Sequence, residues 1–85
     1  MINNEQAKQI VSSNLQRILE SRGLSQADLA RLMFEHVDTA ARMMVNRWVK
    51  GTNPPTTADI VNLADALHCS TDDLLRSKKI RENSI

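Results

Sequence analysis

Cysteine, glycine, proline and the aromatics are all scarce in this 85-residue chain. The single cysteine, Cys69, excludes an internal disulfide and any zinc site built on paired thiolates. One Phe, one Trp, no Tyr, two Gly and two Pro leave little of what sheets and their turns are made from. The composition points instead to helices packed by Leu, Ile, Val, Met and Ala. No apolar run approaches the ~18 residues of a membrane span, and no basic segment feeds a hydrophobic stretch at the N-terminus, so the chain reads as cytoplasmic. Glycine-rich phosphate loops, an H-E-x-x-H pair and a nucleophile elbow are all missing. His36 and His68 share no ligand spacing with Cys69 or with each other. Neither an enzyme nor a metal or other cofactor is expected.

What is present is a run of helix signals. Hydrophobic residues make up 41% and charged residues 25% of the chain, ordinary values for one small globular domain. Ile10, Val11, Leu15, Ile18 and Leu19 recur at helical spacing, which predicts a first helix over 5–22 that Asn3 and Gln6 cap and Gly23 stops. Ser25 with Asp28 opens a second helix, whose buried side is expected to be Leu29, Ala30, Leu32 and Met33. Residues 34–38 either extend that helix or form a longer connector. Thr39 or Asp38 caps a third helix ending at Lys50 and Gly51, with Ala41, Met44 or Val45, and Trp48 on its inner face. Thr56 with Asp59 opens a fourth helix striped by Ile60, Val61, Leu63, Ala64 and Leu67. Ser70 with Asp73 opens a short fifth helix holding Leu74 and Leu75. Met33, Met44, Trp48 and Cys69 are all read as packing.

Net charge is only +1, yet it is segregated. Residues 39–53 carry Arg42, Arg47 and Lys50 and no acid, whereas 54–75 carry Asp59, Asp65, Asp72 and Asp73 and no base. Residues 76–82 are basic again. Such a chain can offer cations to a partner along one face only.

Leu24-Ser25-Gln26-Ala27-Asp28-Leu29-Ala30 resembles the opening of the helix-turn-helix in lambdoid phage repressors, Cro proteins and their bacterial relatives. Val45-Asn46-Arg47-Trp48-Val49-Lys50-Gly51 resembles the end of that family's recognition helix. Pro55-Thr56, Ile60–Leu67 and Cys69–Leu74 continue the likeness through the fourth helix and into the fifth. The resemblance implies an all-α, five-helix, lambda-repressor-like domain over 1–76, followed by a basic, flexible tail over 77–85. It departs from the family in three places. About five extra residues, Phe34 to Asp38, enlarge the connection between helices two and three. Val49 stands where relatives often carry Glu, which would remove an acid from the DNA face. His68 stands where relatives usually have Gly, so strain or a shifted cap is expected there.

A helix fits the major groove of B-DNA, and outward side chains on its first turns can read base edges. Arg42, Met43, Asn46 and Arg47 share one exposed face with no carboxylate among them. Either arginine suits guanine, Asn46 suits an adenine edge, and Met43 suits a thymine methyl. The positions matching Arg42, Met43 and Arg47 contact bases in relatives. The resemblance also implies that Gln26 holds a phosphate and braces the recognition helix. Thr39, Lys50, Thr52 and Asn53 are expected along the DNA backbone. Relatives bind inverted half-sites as dimers, and Leu74, Leu75 and Ile80, being hard to bury in so short a segment, are the expected dimer surface.

The expected partner is thus a double-stranded DNA operator, bound by a homodimeric repressor of phage or Cro type. An antitoxin that also represses its own operon has the same fold, with a toxin as protein partner. A longer repressor's N-terminal piece and a restriction–modification controller are further readings. A contact with polymerase stays open.

Overall fold

The computed structural model describes residues 3–76. Among them fold five helices and no strand: α1 (Asn4–Arg22), α2 (Gln26–Met33), α3 (Thr39–Lys50), α4 (Thr57–Ala66) and α5 (Thr71–Leu75). Each start carries its own cap. Asn3 Oδ1 accepts from the Gln6 backbone N–H at 2.9 Å, and Gln6 Oε1 accepts from that of Asn3 at 3.1 Å. The same reciprocal pair forms at Ser25/Asp28, Thr56/Asp59 and Ser70/Asp73. These boxes satisfy N–H groups that the first helical turn leaves without partners. Between Thr39 and Asp38, the cap of α3 is Asp38, whose Oδ1 accepts from Ala41 N at 2.9 Å. Gly23 and Gly51 close α1 and α3 in the left-handed conformation.

α1 is the spine of the core. It packs against α3 and α5, α2 packs against α3 and α4, and α4 lies on α5. Leu15, Leu29, Val45, Leu63, Leu67 and Leu74 are fully buried where these faces meet. Full burial of Leu74 corrects its expected part in a dimer surface, because that side chain has nothing to offer a second copy. Leu75 remains 47% exposed, and Ile80 and the expected tail lie outside the described residues.

Three apolar residues expected to pack face outward instead: Leu32, Met44 and Val61 are 51, 41 and 54% exposed. The reason is arc width. At about 100° per residue, Leu32 falls roughly 60° outside the arc of Leu29, Ala30 and Met33 on α2, and Met44 roughly 40° outside the arc of Ala41, Val45, Trp48 and Val49 on α3. Val61 lies a similar angle beyond Ala64 on α4. Short helices bury a narrow stripe, so an apolar neighbour just off it stays wet.

Residues 34–38 lengthen neither helix. α2 stops at Met33, and Phe34 is extended with φ −128° and ψ 140°. Its ring stacks on the Trp48 indole, centroids 6.5 Å apart and planes 27° off parallel. Phe34 and Val37 pack on the core while Glu35 and His36 are exposed. The extra residues are thereby pinned by two apolar side chains instead of hanging free.

Two polar side chains are buried among the described residues, Ser12 and Asn14, and Asn14 anchors α5. Asn14, 2% exposed, donates from Nδ2 to the carbonyls of Leu74 at 2.7 Å and Arg76 at 3.0 Å. Its Oδ1 accepts from Arg17 at 3.0 Å. It thus ties α1 to the carbonyl end of α5, a helix too short to hold itself. At His68 the expected strain is present, with φ +52°, the sole non-glycine positive φ among the described residues. Next to it, Cys69 is partly buried, and burial followed by the nearby Asp73 pushes its thiol pKa up.

Candidate nucleic-acid interface

α3 is gripped at its C-terminal end. Trp48 and Val49 are buried, and the Val49 carbonyl accepts from Ser12 Oγ and from Gln16 Nε2 at 2.7 Å. That carbonyl belongs to the last turn, where no intrahelical partner remains. Gly51 closes against α1 so tightly that a Cβ there would stand 3.2 Å from Ser12 Cβ. Burial of Val49 corrects one expectation: its side chain belongs to the core and is no part of the outer face of α3. Beyond their i, i+4 spacing beside the apolar face of α1, nothing in the local sequence marks Ser12 and Gln16 as partners of α3.

The opposite side of α3 is open. Arg42, Met43 and Arg47 are exposed, and Asn46 is half-buried. Ion pairs among the described residues engage Lys8, Arg31 and Arg76 and leave Arg42, Arg47 and Lys50 unpaired. No acid lies in the first turn of α3, and the capping Asp38 is the nearest carboxylate along the chain. A cationic face without internal partners keeps its full attraction for a polyanion.

Gln26 joins this face from the first position of α2. Asn46 Nδ2 donates to Gln26 Oε1 at 3.0 Å. A shallow depression of about 410 Å³ is lined by Gln26, Thr39, Arg42, Met43, Asn46 and Arg47. An adjoining one of about 200 Å³ is lined by Gln26, Ala27 and Arg42. Six of the nine residues expected on DNA therefore converge on one concavity. Lys50, the last residue of α3, and Thr52 and Asn53 just past it are exposed. The backbone N–H groups of Thr52 and Asn53 both donate to the Arg47 carbonyl, at 2.9 and 3.5 Å, which folds that turn back onto the helix.

The start of α2 is held by charge as well as by geometry. Hydrogen bonds from the Ser25 backbone N–H and hydroxyl, and then Arg31, hold the Asp28 carboxyl below its usual range. An ionised Asp28 in the first turn also suits the helix dipole. Guanidinium and carboxamide groups on an open face can recognise hydrogen-bond patterns and phosphates.

A family model of the Cro/C1-type helix-turn-helix DNA-binding domain matches residues 14–79, well over half of the chain. Comparisons with curated proteins and with solved structures found no match. Among the described residues no helix is long and apolar enough to cross a membrane.

Proposed function

The chain belongs to the Cro/C1-type helix-turn-helix DNA-binding domains, and from that membership we propose that it is a sequence-specific transcriptional repressor of phage or Cro type. The observation that carries this reading is the acid-free outer face of α3, where the unpaired Arg42 and Arg47 meet Gln26 in one depression. α3 enters the major groove, Arg42 and Arg47 donate to guanine O6 and N7, and Met43 lies against a thymine methyl. Gln26, Thr39, Lys50, Thr52 and Asn53 hold the phosphates on either side and set the register. Bound there, the protein occludes a promoter.

One α3 reads only a few base pairs, which is little specificity against a genome, so the active species is a dimer on an inverted repeat with half-sites ~34 Å apart. Leu75 contributes to the dimer surface together with the segment that follows it. Sedimentation tests this part: a chain that stays monomeric on its operator would rule the dimer out.

Selection from a randomised duplex pool, followed by sequencing, tests the rest. The expected result is a palindromic site in which Arg42→Ala or Arg47→Ala relaxes one position per half, at ~1–3 kcal/mol each. Binding that is steeply salt-dependent but blind to sequence would overturn the repressor reading and favour a protein partner such as a toxin.

A further inference from the structure

Among the outward side chains of α3, Asn46 differs from its neighbours. Arg42, Met43 and Arg47 make no side-chain hydrogen bond within the described residues, whereas Asn46 is half-buried and bonded to Gln26. That bond is the side-chain hydrogen bond linking α2 to α3 among the described residues. We propose that Asn46 is a positioning residue, which fixes the Gln26 carboxamide with its nitrogen toward a DNA phosphate, and does not itself read a base. The inference rests on the DNA-binding reading above.

The argument is one of polarity. A carboxamide has an accepting oxygen and a nitrogen with two donors. The bond to Asn46 occupies the Gln26 oxygen, so the free end of Gln26 is its nitrogen. Phosphate oxygens only accept, and of the two ends of Gln26 only the nitrogen can meet them. An unrestrained glutamine presents either end and loses rotamer freedom when it binds; here the correct end is already turned outward. Adenine recognition demands both Nδ2 and Oδ1 of one asparagine along the base edge. Asn46 already commits one Nδ2 hydrogen to α2 and is half-buried, whereas Arg42, Met43 and Arg47 are exposed and uncommitted, which sets it apart from the side chains that reach a base edge. Gln26 also shares the adjoining depression with Arg42, which puts a cation beside the proposed phosphate.

A double-mutant cycle on the selected operator tests this. Asn46→Ala and Gln26→Ala are each expected to weaken binding roughly five-fold, the worth of one neutral hydrogen bond. The double variant is expected to be no weaker than either single one, because the second substitution removes nothing further. The preferred sequence stays the same, and so does the salt slope, since a neutral amide displaces no counterion. Asn46→Asp is expected to lose more than Asn46→Ala. Its carboxylate accepts only, so it turns the Gln26 nitrogen inward and the oxygen toward the phosphate. Melting curves establish that each variant is folded, and Asn46→Ser replaces Asn46→Ala, or Gln26→Ser replaces Gln26→Ala, where the alanine variant is not. Two results overturn the proposal: Asn46→Ala relaxing one base position in each half-site, or a double variant weaker by the product, roughly 25-fold. A wild-type chain with no preferred duplex would overturn the DNA-binding reading and this inference with it, whereas an additive cycle on a real operator overturns this inference alone.

Discussion

The two ends of α3 are built on opposite terms. Its last turn buries Trp48, Val49 and Gly51, is backed by Ser12 and Gln16 of α1, and closes on a glycine whose added Cβ would press on Ser12. Its first two turns carry Arg42 and Met43 into solvent while Ala41 and Val45 pack inward, and among the described residues one amide pair, Asn46 with Gln26, is its side-chain hydrogen bond to α2. The difference shows how so short a domain can present a recognition helix. One end is fixed by neutral groups in the interior, so the other can keep its cations unpaired for a ligand. Stability and recognition should then separate along a single helix.

The largest expected effect strikes the anchored end. Gly51→Ala meets both a left-handed backbone, φ +77°, and the Ser12 contact. We expect a loss of about 2–3 kcal/mol, roughly 10–20 °C in melting temperature for a domain of this size. Gly23 is the internal control. It has φ +66° but nothing within 4 Å of a new Cβ, so Gly23→Ala should lose only about 1 kcal/mol. Equal losses at the two glycines would show that the grip of α1 on α3 contributes little.

Asn14→Ala comes next. It leaves the buried Leu74 carbonyl and the part-buried Arg76 carbonyl without their donor, at about 1–3 kcal/mol. Hydrogen exchange should quicken first in α5, with α3 following only at global unfolding. An Asn14→Ala chain that loses operator affinity while keeping its melting temperature would break the separation between scaffold and reader.

A gain is expected at His68. Its φ of +52° strains a side-chain-bearing residue by about 1–2 kcal/mol, part of which glycine returns to unfolded-chain entropy. His68→Gly should therefore raise stability by up to about 1 kcal/mol, read as a higher denaturant midpoint, with operator affinity unchanged because the residue lies beyond α4.

Much of this fold was legible because its signals are local. Every helix start with a Ser/Thr-x-x-Asp box carries its own evidence within four residues, and so do Gly23, Gly51 and the left-handed His68. The outward set Arg42, Met43 and Arg47 was legible for the same reason, since helical spacing and the lack of nearby acids are both readable in one segment. The unreadable features depend on how helices meet. Leu32, Met44 and Val61 are apolar and correctly spaced, but the arc each helix buries is set by its neighbours. Leu74 looked unburiable because α1 and Asn14, 60 positions away, were not in view. The Asn46–Gln26 bond likewise spans 20 positions and exists only at the α2–α3 crossing that Phe34 on Trp48 helps to set.

The smallest expected effect concerns acid, and it distinguishes the two ends by chemistry. Ser12, Gln16 and Asn14 carry no titratable group, so the anchored side has nothing to lose as pH falls. The start of α2, which supports Gln26, relies on the Asp28 carboxylate. Hydrogen bonds from Ser25, first through its backbone N–H and then its hydroxyl, hold that group below its ordinary value of 3.8. A depressed folded value means that the ionised form stabilises the fold fully above the unfolded value. That contribution disappears as pH drops through the folded value. Asp28→Asn keeps an acceptor but removes the charge. Wild type should therefore melt above Asp28→Asn near neutral pH, and the gap should close below about pH 4 as the carboxyl protonates. Amide exchange at low pH should rise in the first turn of α2 before it rises at the α1–α3 contact. A gap that persists unchanged well below that pH would mean that the Asp28 charge does not support the reading side. The contrast between a neutral anchor and a charge-held reader would then fail.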